Sequence, residues 1–152
     1  MANTAAVCNS FKSELMLGDH AFATTDAAGR TSTKDDFKAA LYYSTATITK
    51  STTAYTTTGE VTGSGYTAEG IAVPNTNAPA NASDVTYWTP SGSLVYTTIT
   101  TTSATDAVLI FNDTQANRAV AVYTFAAQTI TAGTLTLTMP TNDQTTGLLR
   151  IA

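Results

Sequence analysis

The chain of 152 residues has few of the side chains that most often carry out chemistry. It contains one cysteine, one histidine and one tryptophan, and charged residues make up only 12% of it. One cysteine cannot form an intrachain disulfide, and one Cys with one His cannot supply the three or four ligands of a zinc site. We therefore expect Cys8 to be a small buried apolar residue, and we expect no metal or cofactor.

Clustered positive charge and long hydrophobic runs are also missing. Seven Lys and Arg stand against eleven Asp and Glu, which gives a net charge of −4. Without a basic cluster, nucleic acids and anionic membranes are poor partners. No apolar run approaches the ~20 residues that a membrane span needs. The segment Met1–Cys8 has no basic region before a hydrophobic core, so we expect no secretion signal.

The residues of the common catalytic motifs are absent as well. Hydrolytic triads need a base, usually histidine, and we interpret His20 as a surface or capping residue at the exit of a helix. Asp35 and Asp36 are adjacent, so in an extended segment they point to opposite sides and mark the start of a strand. Segment 59–65 is rich in glycine but lacks the Gly-Lys-Ser/Thr ending of a phosphate-binding loop. The sequence predicts a protein that is not an enzyme.

Threonine supplies most of the polarity of the chain. There are 34 threonines and 10 serines, and hydrophobic residues make up 43%. With a mean hydropathy of +0.01, the composition fits neither a disordered chain nor a membrane protein. Because β-branched side chains fit a pleated, half-buried surface, the abundance of threonine favours strands.

The first segment is the best helix candidate. Val7, Phe11 and Leu15 follow one another at four-residue spacing, which places them on one stripe of a helix. This pattern predicts a helix over residues 4–17. Capping residues flank it on both sides: Asn3 or Thr4 at the start and Gly18 at the end.

After the helix, the hydrophobic period changes from 3.6 to 2, which predicts strands. Short polar turns separate the runs, so the strands are expected to be antiparallel. Residues 1–152 are predicted to form one all-β domain, a two-sheet sandwich or jelly-roll-like fold with a short N-terminal helix and seven to nine strands within 36–151. The clearest runs are 37–43, 94–100, 107–111, 119–125, 134–139 and 148–151.

Two stretches are predicted to be long loops, 23–36 and 74–83, because they combine small polar residues with glycine or proline. The predicted sheets have little of the Lys, Glu or Pro that normally protects strand edges. One explanation is that other subunits cover some of the edges or faces.

Tyr87 and Trp88 follow the second loop and precede Pro90, and two interpretations remain open. The rings form an exposed pair that contacts a sugar or a protein partner. Alternatively, Trp88 is an ordinary core residue at the start of a strand.

Four blocks of the chain carry a resemblance to a known class of proteins. They are Ala2–Leu15, Phe37–Tyr42, Thr53–Ala68 and Asn117–Tyr123. With these blocks the chain resembles the short Thr/Ala/Gly-rich virion proteins of tailed bacteriophages over nearly its whole length. It departs from that pattern around Thr86–Gly92.

The resemblance implies a virion component, and we expect a capsid cement or decoration protein on the capsid surface. Its partner would be the major capsid protein, and a homotrimer is expected because decoration sites commonly lie on symmetry axes. A tail, baseplate or fibre-associated protein is the first alternative, and a carbohydrate-binding module the second. The expected interface residues are Val7, Phe11, Leu15, Tyr87 and Trp88.

Overall fold

The computed structural model describes residues 2–25, 29, 31 and 33–152. One helix and ten strands lie within these residues. They are β1 (Ala6–Val7), α1 (Asn9–Leu17), β2 (Phe37–Tyr43), β3 (Ile71–Ala72), β4 (Ala80–Ala82), β5 (Val85–Trp88), β6 (Leu94–Ile99), β7 (Thr105–Asn112), β8 (Arg118–Gln128), β9 (Gly133–Leu137) and β10 (Leu149–Ile151).

The N-terminal helix is confirmed, but the prediction that it begins at residue 4 is wrong. Residues 6 and 7 form β1, which pairs with β8 through Ala6↔Val122 and Val7↔Ala121. Cys8 is then the N-cap, with an extended backbone and no capping hydrogen bond from its side chain. Backbone pairing to the sheet therefore overrides the helical spacing of the first residues. The helix ends at Gly18 as predicted, in a left-handed conformation that glycine adopts at little cost.

The predicted caps Asn3 and Thr4 have other roles. The Asn3 amide donates to the carbonyl of Tyr43 at 2.9 Å and accepts from the N–H of Ile48 at 3.0 Å. Thr4 donates its backbone N–H to the carbonyl of Ile48. Both residues fasten the start of the chain to the body of the protein.

A five-stranded antiparallel sheet forms the centre of the molecule, in the order β1-β8-β7-β2-β3. Strand β7 lies in the middle and is buried over almost its whole length. The run 107–111 is apolar throughout, which agrees with a strand covered on both faces. We call this the central sheet.

Two smaller sheets pack on one face of the central sheet, in the orders β10-β5-β4 and β6-β9. Trp88 of β5 lies against Phe37, with 6.1 Å between the ring centroids. The Tyr96 hydroxyl of β6 donates to the carbonyl of Ala39 at 2.8 Å. The fold is mostly β with antiparallel sheets, as predicted, and is sandwich-like.

The irregular segment 44–70 covers the other face of the central sheet and part of the free edge of β2. The ring of Tyr55 stacks on Phe111 of β7 at 5.0 Å, and the Tyr42 hydroxyl donates to the carbonyl of Thr56 at 2.6 Å. Along the edge, Val61 donates its N–H to the carbonyl of Leu41. This segment therefore acts as a second cover, built without regular strands.

Glu60 anchors the irregular segment. Glu60 is only 6% exposed, and its carboxyl group accepts hydrogen bonds from the hydroxyls of Tyr55 at 2.5 Å and Tyr66 at 2.9 Å. It also accepts from the backbone N–H of Glu69 at 2.7 Å. One buried carboxyl group thus holds three separate points of the segment together.

The predictions of two long loops, 23–36 and 74–83, agree with the structure to different extents. The prediction that 74–83 is wholly a loop is wrong, because Ala80–Ala82 form β4 and pair with β5. The prediction for 23–36 falls partly outside the described residues. Within the described part, Thr25 pairs with Thr31 in an isolated bridge.

Candidate interaction groove

The five residues predicted to form an interface come together around one apolar groove. Val7 lies on β1, Phe11 and Leu15 on α1, and Tyr87 and Trp88 on β5, and all five line the same cavity of about 80 Å³. We call it the groove. The helix stripe and the Tyr-Trp pair were predicted as separate features, and the fold joins them.

The groove is formed where the helix faces the sheet β10-β5-β4. β10 lies beside β5, with Leu149 opposite Trp88 and Ile151 opposite Thr86. β10 therefore brings the end of the described chain next to the helix. The remaining lining residues are Phe22, Pro79, Thr86, Leu149, Arg150 and Ile151.

The floor of the groove is part of the hydrophobic core. Phe11 and Trp88 are each only 2% exposed. The ring of Phe22 lies 6.1 Å from Phe11 and 4.9 Å from Trp88, both in edge-on arrangements, and it stacks on Phe37 at 4.6 Å. These aromatic contacts make the floor rigid.

Trp88 is a core residue, as the second interpretation of the sequence proposed. Its indole N–H donates to the carbonyl of Asn77 at 3.0 Å, so its polar atom is also satisfied inside the protein. Tyr87 is only partly exposed. The two rings therefore do not form an exposed pair on which a sugar would stack.

Exposed apolar side chains concentrate on the elements that form the groove. Among the described residues, four large hydrophobic side chains are classed as exposed, and three of them belong to α1 or β10: Met16 at 90%, Leu17 at 76% and Ile151 at 53%. Met16 and Leu17 directly follow Leu15 of the lining. Ile151 lines the groove itself, whereas Met16 and Leu17 lie on the same helix as Phe11 and Leu15 but outside the lining.

A buried polar network lies beside the apolar stripe of the helix, with Glu14 one turn after Phe11, and it corrects the interpretation of His20 as a surface or capping residue. The His20 side chain is fully buried, and its Nε2 lies 2.9 Å from Glu14. Arg118 donates to the other oxygen of Glu14 at 2.7 Å. On the far side of the ring, the Asn112 amide lies 2.8 Å from His20 Nδ1 and donates to Asp35 at 2.7 Å.

This network fixes the helix and the segment after it against the central sheet. Phe11 packs its ring 4.8 Å from the ring of His20, so the network also supports the floor of the groove. The sequence signal for this role was Glu14, a charged residue one turn after Phe11 and six residues before the only histidine. The spacing alone did not show that both side chains would be buried.

Cys8 is buried, as expected. Burial is the main cause that raises the pKa of its thiol to about 11, and the nearby charge of Glu14 acts in the same direction. The thiol therefore remains protonated near neutral pH, which makes it a poor nucleophile.

Neither a metal-binding cluster nor a membrane-spanning helix is found within residues 2–25, 29, 31 and 33–152. In the part of the chain that the structure describes, no three or more His, Cys, Asp or Glu side chains are grouped closely enough to bind a metal ion. Over the same residues, no helix is both long and apolar enough to span a bilayer.

Comparison of the chain with known protein families, with curated protein sequences and with solved structures found no match.

Proposed function

We propose that the chain is a bacteriophage virion structural protein, a capsid cement or decoration protein that binds the assembled shell of the major capsid protein. The observation that carries the proposal is the groove, with its rigid aromatic floor and the exposed Met16, Leu17 and Ile151 on the elements around it. The sequence resemblance to tailed-phage virion proteins supplies the class of partner.

The exposed residues supply the driving force for docking. Burying apolar surface is favourable by roughly 25 cal/mol per Å². Met16 and Leu17 are almost wholly in solvent in the isolated chain, so most of their surface is available to a partner. Exposed apolar patches mark interaction surfaces in soluble proteins, and Ile151 is the exposed residue of this set that lines the groove itself.

The packed floor of the groove lowers the entropy cost of docking. Phe11 and Trp88 are already immobilised by their ring contacts and, for Trp88, by the hydrogen bond to Asn77. A preformed surface loses little side-chain entropy when a partner binds. Little of the binding free energy would therefore be lost to ordering the groove.

A protein of this kind stabilises a shell by mass action. Because it binds the assembled lattice and not free subunits, each bound copy shifts the equilibrium towards the intact particle. We propose the outer capsid surface as its location and a homotrimer as its bound form, since decoration sites commonly lie on symmetry axes.

The experiment is to measure the copy number of the chain in purified virions of the phage that encodes it. Head and tail fractions are separated, and the chain is quantified in each by mass spectrometry against the major capsid protein. We expect hundreds of copies in the head fraction. A few copies confined to the tail fraction would instead indicate a tail, baseplate or fibre protein, and absence from both fractions would overturn the virion proposal.

A further inference from the structure

The buried network beside α1 fixes the direction in which the Asn112 amide forms its hydrogen bonds. Its Oδ1 accepts from the backbone N–H groups of Thr114 and Gln115, both at 3.1 Å. Because a backbone N–H can only donate, the amide oxygen lies on this side and the amide nitrogen on the other. The two hydrogens of that nitrogen then point to Oδ2 of Asp35, at 2.7 Å, and to Nδ1 of His20, at 2.8 Å.

This arrangement determines where His20 carries its hydrogen. Its Nδ1 faces the N–H of Asn112, so Nδ1 is an acceptor and has no hydrogen of its own. Its Nε2 lies 2.9 Å from the carboxylate of Glu14, and a carboxylate can only accept. The hydrogen of the ring is therefore on Nε2, and the imidazole is neutral.

A second proton on the ring would have no acceptor in this network. It would be bound to Nδ1, directly opposite the N–H of Asn112, and the side chain of His20 is fully buried, so water does not reach it. Turning the Asn112 amide over would place its nitrogen against the N–H groups of Thr114 and Gln115 and its oxygen against the Asp35 carboxylate. Leaving a buried donor unpaired is costly, and more so when it is charged.

Three charged groups from different parts of the fold surround the His20 ring. The Glu14 carboxylate of α1 favours a positive ring, but the Arg118 guanidinium of β8 donates to the same carboxylate and opposes it. The Asp35 carboxylate, just before β2, lies beyond Asn112 and already accepts three hydrogen bonds. Both carboxylates are therefore matched by donors, and the donor opposite Nδ1 decides against a charged ring in the docked state.

His20 connects this network to the helix and to the floor of the groove. It binds Glu14 through Nε2, and its ring packs 4.8 Å from the ring of Phe11. Phe11 and Leu15 of the same helix line the groove. A helix of nine residues is too short to be stable by itself in water, so its position depends on contacts of this kind.

We propose that His20 is a proton-sensitive latch, which holds α1 on the central sheet while the ring is neutral and releases the helix when the ring takes up a second proton. An exposed histidine binds this proton near pH 6.5. Because the released form binds one proton more than the docked form, its population should rise about tenfold for each pH unit below about 6.5. Release removes two walls of the groove. The inference concerns the free chain and does not depend on which partner the groove binds.

The first test is the position of the hydrogen on the ring. Nitrogen-15 NMR of the full wild-type chain at about pH 7.5 distinguishes a protonated from an unprotonated ring nitrogen, and the chain contains one histidine, so the signals need no further assignment. We expect the hydrogen on Nε2 and none on Nδ1. A hydrogen on Nδ1, with or without one on Nε2, would overturn the proposal. This test needs no variant to fold.

The second test is hydrogen exchange of the backbone amides of α1, corrected for the intrinsic effect of pH. In the wild type, their protection should fall about tenfold between about pH 6.5 and about pH 5.5, and it should stay below that of β7. His20→Gln keeps an N–H for Glu14 but cannot titrate, so its protection should not change over this range.

Asp19→Asn is the matched control, because Asp19 is the titratable neighbour of His20 in the sequence and takes no part in the hydrogen bonds of the ring. It should behave like the wild type. No fall in the wild type, a fall of the same size in His20→Gln, or loss of the effect in Asp19→Asn would overturn the proposal. Equal protection of α1 and β7 would overturn it as well, since the helix would then not be released on its own.

Discussion

The two covers of the central sheet differ in how they are built and in what they leave exposed. One cover consists of two small sheets, and at its border with the helix it leaves the groove with exposed apolar residues around it. The other cover is the irregular segment 44–70, which is held by hydrogen bonds to Glu60. The irregular cover therefore depends on one buried carboxyl group, whereas the strand-built cover leaves the groove that we propose as the docking surface.

The largest expected effect is on the irregular cover. Glu60→Ala removes the acceptor of three hydrogen bonds and leaves the hydroxyls of Tyr55 and Tyr66 without their partner. We expect the free energy of unfolding to fall by about 3 kcal/mol, since hydrogen bonds to charged groups are strong and unpaired buried groups are costly. Urea unfolding followed by circular dichroism measures it.

Glu69→Ala is the control for this variant. Glu69 pairs with Lys38, but its side chain is 39% exposed. Exposed ion pairs contribute about 0–1 kcal/mol, so the loss should be much smaller than for Glu60→Ala. Equal losses in the two variants would contradict the role of Glu60 as the anchor.

Buried tyrosine hydroxyls at the contact between the irregular cover and the central sheet should also lower the free energy of unfolding at alkaline pH. Burial is the main cause that raises the pKa of the hydroxyls of Tyr42 and Tyr66 above the ordinary value. A tyrosine whose pKa is raised in the folded protein makes its full contribution to stability at pH values below the unfolded pKa of about 10. This contribution is lost as the pH rises further, because ionisation then favours the unfolded chain. Unfolding midpoints in urea should therefore decrease between about pH 9 and about pH 11.

Tyr66→Phe sharpens this alkaline test. The variant lacks the ionisable hydroxyl and the hydrogen bond to Glu60, so it should be less stable at neutral pH but lose less stability on going to alkaline pH. Unchanged stability of the wild type over this pH range would contradict the burial of these hydroxyls.

A smaller effect is expected at the floor of the groove. Trp88→Phe keeps an aromatic ring but removes the indole N–H that donates to Asn77. The free energy of unfolding should fall by about 2 kcal/mol, because the lost hydrogen bond costs about 1 kcal/mol and the smaller ring leaves a cavity in the core. Since the chain contains one tryptophan, the wild type should also show the blue-shifted fluorescence of a buried indole. Emission typical of a solvent-exposed indole would contradict the position of Trp88 in the core.

The smallest effect on stability is expected for the exposed residues around the groove. Ile151→Ser and Leu17→Ser change side chains that are 53% and 76% exposed. Surface substitutions of this kind usually change stability by less than about 0.5 kcal/mol. Thermal unfolding checks this, and a loss of several kcal/mol would show that these side chains belong to the core of the isolated chain.

Much of the fold could be predicted because the strands follow a simple periodic pattern. The runs 37–43 and 107–111 became β2 and the centre of β7, and Gly18 ends the helix as expected. The cover formed by 44–70 could not be predicted in this way. Its stability comes from particular contacts such as Tyr55 on Phe111, which join residues far apart in the sequence and leave no period.

The same limit applies to the groove and to the helix. The stripe of Phe11 and Leu15 indicated an apolar helix face, but its position beside β10 depends on how the sheets are connected. The predicted start of the helix was wrong because the pairing of Val7 with β8 determines the local structure there. His20 was assigned to the surface because a single sequence does not show that Glu14 and Asn112 enclose it.

The central claim is that the groove and the exposed residues around it bind the capsid shell. The most direct measurement is co-sedimentation of purified chain with capsids that lack it, comparing wild type with the double variant Leu17→Ser/Ile151→Ser and with Val95→Ser. Val95 is also exposed, at 41%, but lies on β6, which contributes no residue to the groove lining, whereas α1 and β10 both do. The account predicts that the double variant binds at least tenfold more weakly while Val95→Ser binds like the wild type. Equal binding of all three proteins would contradict it.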